Sequence, residues 1–135
     1  MKTLSKEIVG PWRLNWMELW SQDAVDLVGP GFLQLEADGS GEMHFIAVKA
    51  WLDCEPVERD GRPAVEFSWE GTDERDRRSG RGWVRLVRPD ALEGVFCFHM
   101  GDTSPFRAER STTAEFAKAR TQRTASRRRR TSAGS

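Results

Sequence analysis

Turn-forming residues recur along this chain at short intervals: Gly29-Pro30-Gly31, Asp38-Gly39-Ser40-Gly41, Asp60-Gly61, Pro89-Asp90 and Gly101-Asp102, with a charged stretch from Gly71 to Gly82. Short runs rich in β-branched and aromatic residues lie between them. Punctuation this frequent leaves little room for long helices and predicts an all-β antiparallel meander. The runs read as about seven strands, near residues 12–17, 32–37, 42–54, 63–70, 82–88, 92–99 and 104–109. In the fourth, Val65, Phe67 and Trp69 alternate with Glu66, Ser68 and Glu70, the two-residue period of a strand with one face buried. The third, EMHFIAVKAWLDC, is apolar on both faces and about twice the usual strand length, which predicts one long bent strand. Trp12, Trp16 and Trp20 share strand parity and are also four apart; a strand to Met17, then a short helix near 21–28 capped by Ser21 and stopped by Gly29-Pro30-Gly31, accommodates both facts.

The length of 135 residues fits one domain. Twelve of the thirteen Trp and Phe residues lie at or before Phe106, so the core is expected to end near there, with the six Trp as its main filling. The formal net charge of zero divides at Arg110. Residues 1–110 carry 14 Lys and Arg against 20 Asp and Glu, or −6, and residues 111–135 carry 7 against 1, or +6. The expected organisation is a β domain over 1–110 and a basic, disordered tail over 111–135. Within that tail Thr112-x-x-Glu115 resembles a capping box, and AEFAKARTQR can form a short helix with Phe116 as its only large apolar residue. An acidic body argues against nucleic acid as its partner; the tail Arg127, Arg128, Arg129 and Arg130 would be the only phosphate-binding run. Cys54 and Cys97 form no CxxC pair, and no apolar run near the start or elsewhere suits a signal peptide or a membrane span, so a cytoplasmic location is expected.

The segments WMELW, DGSGEMHF, VEFSWEGTDERDRRSGRGW and HMGDTSPFRA resemble a group of small uncharacterised bacterial proteins that share these blocks in the same order. The resemblance covers about residues 10–110, with the EFSWEG-x-DE and SGRGW blocks as its most specific part. It implies domain boundaries and no mechanism. The opening Gly10-x-Trp12 is similar to the first-strand motif of lipocalin-type barrels, which favours a small calycin-like barrel over a sandwich.

Two clusters stand out as candidate sites. The stretch from Gly71 to Gly82, entered through Glu70, sets Asp73, Glu74 and Asp76 against Arg75, Arg77, Arg78 and Arg81; it reads as a solvated connection or as a binding rim whose Ser79-Gly80-Arg81-Gly82 presents N–H groups and a guanidinium to an anion. Arginines at the alternate positions exclude an EF-hand. The second cluster is His99 with Asp102 at a strand end, where the carboxylate can orient the imidazole as a general base or simply fix a turn. Ser104 follows without a G-x-S-x-G context. Glu18, between Trp16 and Trp20, would orient a ligand if those rings line a cavity. Cys97 and His99 alone do not make a zinc site, and no metal or cofactor is expected.

The reading that follows is a small-ligand or protein-binding module with Glu18, Glu70, Asp73, Glu74, Arg81, His99 and Asp102 as its binding candidates. The alternatives are an enzyme using His99 and Asp102 with the loop carboxylates, and a polyanion or nucleic-acid binder acting through the tail.

Overall fold

The computed structural model describes residues 3–133, with side chains described through residue 125. Its elements are β1 (Gly10–Met17), α1 (Gln22–Val25), β2 (Phe32–Leu35), β3 (Ser40–Phe45), β4 (Val48–Arg59), β5 (Arg62–Asp73), β6 (Asp76–Arg88), β7 (Ala91–Phe98), β8 (Thr103–Arg110) and α2 (Thr113–Ala133). Each strand pairs antiparallel with the next, and β8 returns to β1, closing the barrel. The expected small barrel is therefore present, with eight strands rather than seven. The additional strand arises because the run 42–54 is not one bent strand. Ile46 takes a left-handed conformation (φ 52°) and turns the chain back between β3 and β4, where Phe45 pairs with Val48.

The alternation seen in the sequence governs the interior. Val65, Phe67 and Trp69 of β5 face inward, joined across the ladders by Leu52 and Cys54 of β4 and by Phe96 of β7. Aromatic rings fill the space: Trp69 stacks on Phe96 at 4.7 Å, and Phe45 meets Phe96 edge-on at 5.0 Å. The glycines of β6 make room for them. A Cβ on Gly82 would lie 2.4 Å from Phe67 Cζ, and one on Gly80 2.7 Å from Trp69 Nε1. The stretch 71–82 is thus not a loop. β5 and β6 run to a two-residue turn at Glu74-Arg75, and the charged side chains of the expected connection lie along a long hairpin.

The six Trp are not a single core. Trp12 and Trp69 are buried, Trp20 and Trp83 half-buried, and Trp16 and Trp51 exposed. A register shift in β1 between Leu14 and Trp16 reverses the parity, so Trp12 points inward and Trp16 outward, where Arg107 covers its ring at 4.8 Å.

The barrel has two unlike ends. At one, residues before β1 close it: Leu4 and Ile8 are buried, the Leu4 N–H donates to the Ala37 carbonyl, and the Ile8 carbonyl accepts from Trp12 Nε1. The other end is formed by the α1 segment and the turns β3–β4, β5–β6 and β7–β8. α1 is short and starts where expected, its Ser21 side chain accepting from the Ala24 N–H.

After Arg110 the chain is helical, contrary to the disorder expected from its composition. Thr112 Oγ1 accepts from the Glu115 N–H, while Glu115 Oε2 accepts from Ser111 Oγ rather than from the Thr112 N–H, so one of the two bonds of the expected capping box forms. The helix docks beside β1 and reaches side chains on the outer face of β2 and β3. Phe116 sits edge-on to Phe32 at 4.7 Å, Ala119 is buried, Arg120 pairs with Glu42, and Arg123 is buried against backbone carbonyls. Composition misjudged this segment because polar groups, rather than an apolar stripe, hold it. Arg127, Arg128, Arg129 and Arg130, expected as the only nucleic-acid contact, lie outside the described side chains. No helix among the described residues is long and apolar enough to cross a membrane.

Candidate functional site

The open end of the barrel holds a groove of about 450 Å³. Its floor is apolar, formed by Trp20, Phe45, Ile46, Val48 and Phe98. Its rim carries Asp73 and Arg78 from the β5–β6 hairpin and His99 and Asp102 from the β7–β8 turn. The floor continues the core. Trp20 lies 5.6 Å from Phe45 and 6.4 Å from Phe98, and Phe98 meets Trp69 edge-on at 5.3 Å. Trp20 and Phe98 are only half-buried, so this aromatic stack, closed off elsewhere, reaches solvent here.

The turns around this mouth are backbone-strained. Four non-glycine residues among those described have positive φ, and three of them, Ile46 (52°), Glu74 (58°) and Met100 (56°), are one to each turn; the fourth, Asp60, belongs to the opposite end. The turns are tied together through the backbone. The Glu74 N–H donates to the Ala47 carbonyl at 3.3 Å, and the His99 N–H to the Ser79 carbonyl at 2.8 Å.

The two sequence clusters therefore meet. Asp73, His99 and Asp102 share the mouth, with Arg78 beside them. No hydrogen bond or ion pair joins His99 to Asp102 among the described residues, so the imidazole is not oriented as a general base by that carboxylate. The turn is held instead by backbone, the Phe98 N–H donating to the Asp102 carbonyl. Ser104 is buried and structural, accepting from the Leu19 N–H at 3.3 Å and donating to the Pro105 carbonyl at 3.0 Å. Glu18 is exposed and does not line the groove; its N–H pairs with the Pro105 carbonyl, and β1 ends at Met17, between Trp16, which is exposed, and Trp20, which lines the groove. Glu74 stands at the exposed hairpin tip.

Glu70 and Arg81 point the other way, onto the outer face of β4, β5 and β6. There, with Trp51, Asp53, Ser68, Arg77 and Ser79, they line a shallow furrow of about 1170 Å³. Trp51 is 55% exposed in it. Although larger, this furrow is open strand surface; the mouth is walled by rings on several sides. His99 borders both.

Behind the mouth lies a polar layer that has little trace in the sequence. Arg123 of α2 enters a cluster of four carbonyls: Nε donates to Pro30 at 3.1 Å, Nη1 to Ile46 at 3.0 Å, and Nη2 to Gly29 at 3.0 Å and Val25 at 3.4 Å. Burial pulls its pKa down to about 10, so it remains charged at neutral pH. Nearby, burial alone would raise the Asp26 carboxyl, but Arg13, the Gly31 N–H and Gln22 hold it below the usual range. Beneath α2, His44 stacks on Phe32 at 4.6 Å with neither ring nitrogen hydrogen-bonded; Glu42 Oε2 lies 3.6 Å away. Burial pushes the His44 pKa down despite that neighbour. For Glu42 burial acts upward, and His44 and Arg120 outweigh it, leaving the carboxyl below its ordinary value. Among the described residues no group of three or more His, Cys, Asp or Glu is placed to hold a metal ion.

No protein-family model matches the chain, and neither the curated proteins nor the solved structures contain a match to it.

Proposed function

We propose that this protein is a small-ligand binding module whose site is the open mouth of the barrel. The observation that carries the reading is the inequality of the two ends: Leu4 and Ile8 fill one, while at the other a stack of aromatic rings reaches a groove of about 450 Å³. A volume of that order suits a small organic molecule, and half-buried rings beside a few polar groups are the usual lining of such sites. Trp20 and Phe98, backed by the buried Phe45, would take a flat apolar body; Arg78 and His99 would meet an anionic or hydrogen-bonding substituent, with Asp73 and Asp102 setting its orientation. The strain at Ile46, Glu74 and Met100 supports the same end, since such conformations persist where the surroundings hold a site in shape.

The Gly10-x-Trp12 opening supports a lipocalin-like reading of the barrel. Trp12 is fully buried within it, and the Arg110 guanidinium covers the ring at 3.9 Å. A bacterial setting is part of the same proposal and rests on the sequence blocks, and a cytoplasmic one rests on the cysteine pattern of Cys54 and Cys97.

The probe for the site is 8-anilinonaphthalene-1-sulfonate, a flat aromatic anion, titrated by fluorescence with native mass spectrometry as the count of bound molecules. One molecule is expected to bind. Phe98→Ala and Trp20→Ala should each weaken binding several-fold, equivalent to about 1 kcal/mol for a lost ring contact, with the fold retained by circular dichroism. Affinity unchanged in both folded variants would place the probe elsewhere and end the proposal.

A further inference from the structure

Arg123 stands out because its hydrogen-bond partners are all main-chain, although the Asp26 carboxylate also acts on its charge. A buried guanidinium normally meets a carboxylate; this one meets four carbonyls, from Val25, Gly29, Pro30 and Ile46, that belong to two separate stretches of chain. Val25, Gly29 and Pro30 lie in and after α1, and Ile46 is the β3–β4 turn, whose side chain lines the mouth. The Ile46 conformation is one that a β-branched residue rarely adopts, and both of its backbone polar groups are occupied. Its N–H donates to the Val25 carbonyl at 2.8 Å, and its carbonyl accepts from Arg123. The strained wall of the mouth is thus pinned from behind by a side chain of the C-terminal helix.

Gly29 supplies an independent sign that this contact is built in. A Cβ there would lie 2.9 Å from Arg123 Cγ and 3.2 Å from the Arg123 backbone nitrogen, so the helix approaches as closely as it does only over glycine. Its φ is not in the left-handed region, and the requirement is one of space.

We propose that Arg123 is a positioning residue for the mouth: it clamps the segment after α1 to the Ile46 turn, so that docking of α2 and occupancy of the mouth are coupled. The proposal rests on the mouth being the binding site and adds its regulation. Coupling of this kind is reciprocal: if α2 shapes the wall, a molecule against the wall must in turn hold α2.

The test uses the full chain and the same naphthalene-sulfonate probe, with amide hydrogen exchange as a second readout. Arg123→Ala, and Gly29→Ala as a variant that keeps the guanidinium, should speed exchange at the Ile46 amide and weaken the probe several-fold. Arg123→Lys, which reaches some of the carbonyls with one ammonium, should restore part of both. In the wild type, saturating probe should slow exchange over residues 116–123 of α2 by about the factor that docking tightens the probe. Normal Ile46 exchange and normal affinity in folded Arg123→Ala, or exchange in α2 that ignores the probe, would overturn the coupling. Sensitivity to Phe98→Ala without sensitivity to Arg123→Ala leaves the mouth site standing and removes only the clamp. Insensitivity to both Phe98→Ala and Trp20→Ala removes the mouth site itself, while the Ile46 amide still reports on the clamp.

Discussion

His44 shows how much a single side chain can depend on what covers it. It is packed between Phe32 and Trp51, with Glu42 beside it on β3, and Lys49 of β4 and Arg123 of α2 both acting to lower its pKa; Arg120 of α2 holds Glu42. Burial pushes its pKa below the ordinary 6.5, so the native state binds this proton less readily than the unfolded chain does. Stability is then complete above about pH 6.5 and declines as pH falls below it, by at most about 1.4 kcal/mol per pH unit for one proton. Urea midpoints measured from pH 7 to pH 5.5 should show this slope in the wild type and lose it in His44→Gln; a slope that survives His44→Gln would assign it to another group. Nothing in the sequence distinguished His44 from an exposed strand histidine. What buries it is α2, and what docks α2 includes guanidinium contacts with carbonyls, which leave no pattern in the side-chain order. His99 and Asp102, by contrast, were visible as a polar pair at a strand end, and they do line the mouth.

Among the elements, strands with a clean alternation were readable and the turns made by tertiary contact were not. β5 could be assigned face by face from Val65, Phe67 and Trp69 because one side of the ladder is buried and the other wet. The β3–β4 turn has no Gly, Pro, Asn or Asp at Ile46-Ala47, so the run 42–54 resembled one strand. In the structure Ile46 takes the left-handed conformation that a two-residue hairpin turn demands, with its N–H bonded to the Val25 carbonyl and its carbonyl to Arg123. The glycines of β6 misled in the opposite direction. Gly80 and Gly82 looked like loop residues, yet they sit in a strand to admit the rings of Trp69 and Phe67. The strain at Ile46 has a measurable consequence. Ile46→Gly should relieve it and raise stability by about 1 kcal/mol, while the lost side chain weakens the naphthalene-sulfonate probe at the mouth. A variant that is less stable than the wild type would mean that the Ile46 side chain contributes more to packing than its backbone conformation costs.

At the scale of the whole molecule, the turn punctuation and the Gly10-x-Trp12 opening pointed to a barrel, and the charge reversal at Arg110 marked where the last strand stops. The sequence did not reveal that the two ends of that barrel differ, because the closure at one end depends on Leu4 and Ile8 folding under Trp12, a contact between segments with no shared pattern. The difference predicts separable effects. Ile8→Ala should cost about 2–5 kcal/mol in unfolding free energy, as for other buried truncations, and leave probe affinity at the mouth unchanged. A parallel loss of affinity would mean that the ends communicate through the core. Closure of β8 onto β1 carries one more implication. Every strand of the ring has a neighbour on both sides over part of its length, so among the described residues the stretches with one ladder partner are short and lie towards the ends of the barrel, as in β4 beyond Cys54 at one end and β6 before Ser79 at the other. A partner that relies on main-chain pairing is therefore confined to those short protruding edges, and recognition anywhere else on the barrel wall must read side chains.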